Sequence, residues 1–148
     1  MSATISEFQS FLEASGVDAA LQALNSGVRH RYTAIFRLDE KTLVNLYLFD
    51  KHGEVTPPAL ERVPLADSFC QLVLRDGLFK SENSTNDRRL DFSPYQTAVM
   101  SYHGVPIENN HGELYGTLCH FDLVEQSISD ADFTVLQKAA SLLPPYLR

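Results

Sequence analysis

Residues 98–122 read AVMSYHGVPIENNHGELYGTLCHFD, and this stretch decides the architecture. Ala98–Ile107 and Leu114–Asp122 are rich in β-branched, aromatic and aliphatic residues. Between them lies Glu108-Asn109-Asn110-His111-Gly112-Glu113, whose asparagines and glycine tolerate left-handed backbone, so the pattern predicts a β-hairpin. Upstream, Tyr32–Leu38 and Leu43–Phe49 have the same make-up around the polar turn Asp39-Glu40-Lys41-Thr42 and predict another. Leu78–Glu82 fits a short strand. Hairpins demand antiparallel neighbours, whereas a doubly wound parallel sheet needs a helix between successive single strands. The usual dinucleotide-binding fold is therefore excluded.

Helices flank this sheet. Thr4-Ile5-Ser6-Glu7 is a capping box that opens a helix with Ile5, Phe8 and Leu12 on one face. Ser15-Gly16 interrupts it, Val17, Leu21 and Leu24 mark a second short helix, and Asn25-Ser26-Gly27 closes a helical segment over residues 1–27. A proline-marked irregular stretch (Pro57, Pro58, Pro64) precedes Asp67, which is expected to cap a helix carrying Phe69, Leu72 and Val73 as far as Asp76-Gly77. Asn83–Pro94 reads as a polar loop. Ser129 caps a last helix, about 129–143, with an apolar stripe of Phe133, Leu136, Ala140 and Leu143 ended by Pro144-Pro145. The expected fold is α+β: a central, mainly antiparallel sheet of about five or six strands within residues 28–122, with the N- and C-terminal helices on one face.

At 148 residues and 16.6 kDa, with 44% hydrophobic and 21% charged residues, the chain suits one domain with a core of its own. A net charge of −7 repels phosphate backbones and anionic lipid, so nucleic acid and membrane surfaces are not expected partners. No apolar run approaches the roughly 20 residues that cross a bilayer. MSATISEFQS lacks the basic and apolar regions of a secretory leader, and the expected location is the cytoplasm. The two cysteines, Cys70 and Cys119, are expected as free thiols.

Catalytic patterns are thin. No closely spaced glycines precede a helix to cradle phosphate. Ser101, His103 and Asp122 have the residue types of a hydrolytic triad, but no GxSxG elbow surrounds the serine. His103, His111, Cys119 and His120 crowd the second hairpin, yet neighbouring strand residues point to opposite faces and His111 sits in the turn, so no metal site is expected. Cys70 beside Phe69 reads as a small core hydrophobe. Gly104 and Pro106 are expected to shape a strand end, and Gly112 and Gly116 to permit the turn and a close backbone approach.

Four segments in order carry a resemblance: Asp67-Ser68-Phe69-Cys70, Asn86-Asp87-Arg88-Arg89-Leu90, Ser101-Tyr102-His103-Gly104-Val105-Pro106-Ile107, and Gly112–Asp122 (GELYGTLCHFD). Together they resemble the consecutive motifs of GAF domains, in the variant found as sensory modules of bacterial signalling proteins. The likeness runs from the first helix to the last, and implies a single GAF domain over 1–148 without a separate output domain. It implies a ligand pocket on the sheet face away from the terminal helices, beneath the segment between the middle helix and the next strands. The candidate ligand-binding residues are Phe69, Cys70, Val73, Asp87, Tyr95, Tyr102, Cys119 and Phe121. The resemblance names no cofactor and no catalytic residue.

The resemblance implies a module that binds an unidentified small molecule and signals through a separate output protein or a homodimer formed by the terminal helices. The alternative enzyme is a thiol-dependent reductase similar to the small GAF enzymes acting on free methionine sulfoxide, although that subfamily's cysteine pattern is missing. A further alternative is a degenerate GAF domain serving only as an interaction module. The Asn-Lys…Phe…Asp-Glu order of cyclic-nucleotide binders is absent, and Cys119-His120 falls on a strand rather than on the helix that carries bilin attachment in relatives.

Overall fold

The computed structural model describes residues 4–54 and 60–147; Pro57 and Pro58 lie outside the described residues. Helix α1 (Ile5–Ser15) starts where Thr4 Oγ1 accepts from the Glu7 N–H at 3.1 Å, and stops at Gly16, whose φ of 93° few other residues adopt. Helix α2 (Val17–Asn25) follows at once. Strands β1 (Tyr32–Asp39) and β2 (Thr42–Asp50) form the first hairpin, and β3 (Arg62–Pro64) is a short edge strand beside β2. Then come α3 (Cys70–Asp76), β4 (Phe79–Ser81), β5 (Ser101–Glu108), β6 (Leu114–Asp122) and α4 (Asp130–Leu142).

The six strands make one sheet in the order β3-β2-β1-β6-β5-β4, with every neighbouring pair antiparallel. Side chains alternate across it and build a core on each face. On one face Ile35, Val105, Ile107 and Leu118 meet Phe8, Leu12, Leu21 and Leu24 of α1 and α2, and Phe133 and Leu136 of α4. On the other, Tyr32, Ala34, Phe36, Tyr102, Cys119 and Phe121 pack with Phe69, Cys70, Leu72 and Val73 around α3. The apolar stripes of α1 and α4 are thus buried in the chain's own core, and Phe11, 46% exposed, is the large apolar side chain of α1 left facing outward.

Three expectations need correction. Asp67 does not cap α3: it lies in a 3₁₀ turn over Leu65–Asp67, its carbonyl accepts from the Ser93 hydroxyl, and Phe69 occupies the cap without a side-chain bond. The strand expected from Ala98 begins at Ser101, because Ala98 and Val99 are turned back by N–H bonds to the Tyr95 carbonyl. Gly104 and Pro106 sit within β5 rather than at its end. β4 pairs only as far as Gly104, so the missing N–H of Pro106 falls where β5 has a single neighbour.

The first hairpin turns through Glu40 at φ 56°, an exposed residue in the left-handed region. That conformation is unfavourable by about 1–2 kcal/mol for a side chain with Cβ, against about 0.5–1 kcal/mol of extra unfolded-state freedom for glycine. Glu40→Gly is expected to raise the free energy of unfolding by about 0.5–1 kcal/mol, measured as a higher urea midpoint at unchanged slope.

Candidate functional site

On the face away from α1, α2 and α4 lies a cavity of about 40 Å³. The sheet supplies Phe36, Leu43, Val63, Tyr102 and Phe121; the connecting segments supply Leu60, Ser68, Phe69, Tyr95 and Val99, and α3 supplies Cys70. Leu60 and Tyr95 are half-buried whereas the other lining residues are buried, so these two mark the side toward solvent. The covering chain comes from both sides of α3, not only from the segment after it.

Of the eight candidates, Phe69, Cys70, Tyr95, Tyr102 and Phe121 line the cavity. Val73 and Cys119 are buried in the same core but do not reach its wall. Asp87 is elsewhere. Its carboxylate accepts from the Arg89 backbone N–H at 3.1 Å and from Arg89 Nη2 at 2.6 Å, and it steers that guanidinium to 4.4 Å from the centre of the Phe79 ring. The Arg89 bond holds the Asp87 carboxyl below the usual carboxylate range. Phe36, Leu43, Leu60, Val63, Ser68 and Val99 line the cavity without being candidates; all but Ser68 carry only apolar character as a local signal, which core and cavity walls share.

Tyr102 organises the floor. Its ring meets Phe69 edge-on at 5.6 Å between centroids, and its hydroxyl lies 3.2 Å from Cys70 Sγ. Cys70 Sγ also contacts Thr117 Oγ1 at 3.3 Å. The tyrosine folds along its own strand over Gly104, where an added Cβ would lie 2.6 Å from the ring. Glycine is needed there for the tyrosine's placement, which explains the mid-strand position. Burial raises the Cys70 thiol above its ordinary range and the Cys119 thiol and Tyr102 hydroxyl well above theirs, so the protonated form of all three is favoured.

Cys119 and His120 divide by face, as alternation requires. Cys119 faces the cavity-side core, while His120 lies on the helix side, paired in register with His103. There the two join His30, which the sequence reading passed over in the polar run between α2 and β1. His30 Nε2 is 2.9 Å from His103 Nδ1, and His120 Nδ1 is 2.6 Å from Thr33 Oγ1. Asn25 ties the group to α2 by donating to Thr33 Oγ1 at 2.8 Å and to the His30 carbonyl at 3.0 Å. Burial lowers His30 to about 4 and His103 to about 3, and drives His120 well below its ordinary value. Among the described residues no group of three or more His, Cys, Asp or Glu side chains is arranged to hold a metal ion. No helix among them is long and apolar enough to cross a membrane.

No protein-family model matches the sequence, and no curated protein does. Solved structures do match. The GAF domain of an Acinetobacter phosphoenolpyruvate-protein phosphotransferase superimposes with a TM-score of 0.76 at 16% identity, over 96% of this chain and 89% of that one. The corresponding GAF domain from Coxiella burnetii gives 0.73 at 14% identity, over 96% and 89%. A type II free methionine-R-sulfoxide reductase from Thermoplasma acidophilum gives 0.69 at 21% identity, over 96% and 93%. Strand order, two-faced core and these superpositions agree with the motifs at residues 67–70, 86–90 and 101–122: the chain has the GAF-type fold.

Proposed function

We propose that the chain is a sensory or regulatory module that binds a small molecule in the cavity beneath Leu60 and Tyr95 and passes its occupancy to a separate protein or a second copy. The observation that carries this reading is the cavity itself, roofed by connecting segments on the face that the terminal helices leave free. A ligand there can shift a conformational equilibrium only by binding one arrangement of the roof more tightly than another. The terminal helices form the other face, with Phe11 as the outward apolar contact for a partner.

Reductase chemistry fits less well, because both thiols are buried and protonated, and the thiolate is the nucleophile in such reactions. Incubation with free methionine sulfoxide and a dithiol reductant is expected to give no turnover. Both cysteines of the native chain are expected to be alkylated by iodoacetamide at least about 100-fold more slowly than in the urea-unfolded chain. Turnover abolished by Cys70→Ser or Cys119→Ser replaces the sensory reading with the reductase. A second reading, an interaction module with a self-filled pocket, is favoured by size: about 40 Å³ is far below the roughly 300–1,000 Å³ of sites for drug-sized ligands.

A further inference from the structure

We infer that the cavity selects an uncharged, apolar molecule of only a few non-hydrogen atoms and rejects carboxylates, phosphates and amino-acid zwitterions. This inference rests on the reading of the cavity as a ligand site, and takes it as far as a chemical class.

Charge comes first. Among the described residues that line the cavity there is no Asp, Glu, Lys, Arg or His. Asp87 and Arg89 of the polar loop bond each other outside the cavity. An ion entering would lose its hydration without a counter-charge, a penalty of several kcal/mol per ion that nothing here offsets.

The polar side-chain atoms of Ser68, Tyr102 and Cys70 are already engaged. Ser68 Oγ donates to the Leu65 carbonyl at 2.9 Å, and the Tyr102 hydroxyl and Cys70 thiol bond each other at 3.2 Å. A water molecule held inside would need two or more polar partners, so these walls favour a dry space that takes apolar atoms. Each Å² of apolar surface brought out of water there contributes about 25 cal/mol.

Size comes last. An apolar cavity of about 150 Å³ holds a benzene ring. At about 40 Å³ this one accepts roughly a xenon atom or a diatomic or triatomic molecule while Phe36, Phe69 and Phe121 keep their places. A larger guest must displace Leu60 or Tyr95, the two half-buried lining residues. Small size and absence of charge therefore define one class: neutral dissolved gases and the shortest neutral volatiles.

The test uses the full chain, labelled at its leucine and valine methyls, with xenon as the apolar probe and acetate and free methionine sulfoxide as ionic probes. Xenon is expected to shift the methyl resonances of Leu43, Val63 and Val99 saturably, while Val105, Leu118 and Leu136 on the helix face stay unmoved. Val99→Ile adds one methylene and is expected to weaken xenon binding by at least about fourfold. If an ionic probe shifts the cavity methyls and xenon does not, the ligand class is overturned while the sensory reading stands. If no probe shifts them, the class and the sensory reading fall together. The methyl map of the unsubstituted chain decides these outcomes even where the variant does not fold.

Discussion

Gly116→Ala is expected to destabilise the protein by about 4 kcal/mol or more, enough to leave a marginally stable domain largely unfolded. A Cβ at Gly116 would lie 1.9 Å from the Phe36 carbonyl oxygen, 2.9 Å from its carbon and 3.0 Å from the Arg37 Cα. All three are backbone atoms of β1, which pairs with β6 through Arg37↔Gly116 and Phe36↔Thr117. A clashing side chain can swing to another rotamer, but a strand can yield only by opening its ladder, at about 1 kcal/mol for each hydrogen bond lost on top of the packing strain. The same register presents Thr117, Cys119 and Phe121 to the cavity-side core, so displacement of β6 reaches the candidate site. Gly112→Ala is the matched control. It has φ 75° with nothing within 4 Å of the added carbon, so only backbone strain of about 1–2 kcal/mol is expected. Urea unfolding of both variants, followed by circular dichroism, measures the contrast. A Gly116→Ala protein within 1 kcal/mol of the parent would show that β1 and β6 do not approach as described.

The second large effect is loss of stability in mild acid, and its origin is the histidine group beneath α2. His30, His103 and His120 are fully buried, and His30 Nδ1 and His120 Nε2 have no hydrogen-bond partner among the described residues. Burial is the main reason that the charged imidazolium is disfavoured. Asp122 partly opposes this at His30, while Lys51 and the neighbouring imidazoles add to it at His120 and Lys80 adds to it at His103. In the unfolded chain each histidine takes a proton as pH falls through about 6.5. In the folded chain His30 resists until about 4 and His103 until about 3. The unfolded state therefore binds more protons across this window, and stability falls as pH drops from about 6.5 toward 4.

For His30 alone the shift is equivalent to about 3 kcal/mol, and His103 and His120 bring the loss between pH 7 and 4 to at least that. Carboxylates act elsewhere on the scale. Asp50, held low by Arg31, and Asp87, held low by Arg89, contribute stability that is lost only as pH falls below the ordinary carboxylate range. Unfolding free energies at pH 7, 5.5 and 4.5 separate the two contributions. His30→Gln is expected to flatten the pH dependence in the histidine window whatever it does to absolute stability. A urea midpoint that does not move between pH 7 and 4.5 would refute the buried-neutral assignment.

Much of the architecture was legible because it rests on local chemistry. Thr4 and Ser129 cap their helices through side-chain oxygens as their sequence contexts imply, and Gly16 and Gly77 end theirs at φ 93° and 82°. Leu114–Asp122 forms a strand over the very residues whose aromatic, β-branched and aliphatic make-up marks one, since such side chains pack well on a pleated sheet buried on both faces. The close approach at Gly116 was legible as well. Where the reading failed, tertiary contacts overrode local preference. Asp67 has the character of a cap, but its segment is held by Ser93, twenty-six residues away, so α3 starts later. β3 is only three residues long, lies among prolines, and exists because Leu43 and Val44 pair with it.

The sequence by itself determined the α+β class, the two hairpins, the helix faces and the GAF-type motifs, because periodicity, capping and turn chemistry act over a few residues. It also placed Phe69, Cys70, Tyr95, Tyr102 and Phe121 among the candidates. Only the tertiary structure decided which apolar residues become walls of the cavity. Val63, Val99 and Leu43 are far apart along the chain and identical in character to core residues, so their roles depend on where the roof segments cross the sheet. It alone set Asp87 outside, bonded to Arg89, and brought His30 against His103 across 73 residues of chain. Burial, which raises the thiols and lowers the imidazoles, belongs to position in the fold and not to residue type, and no local pattern encodes it.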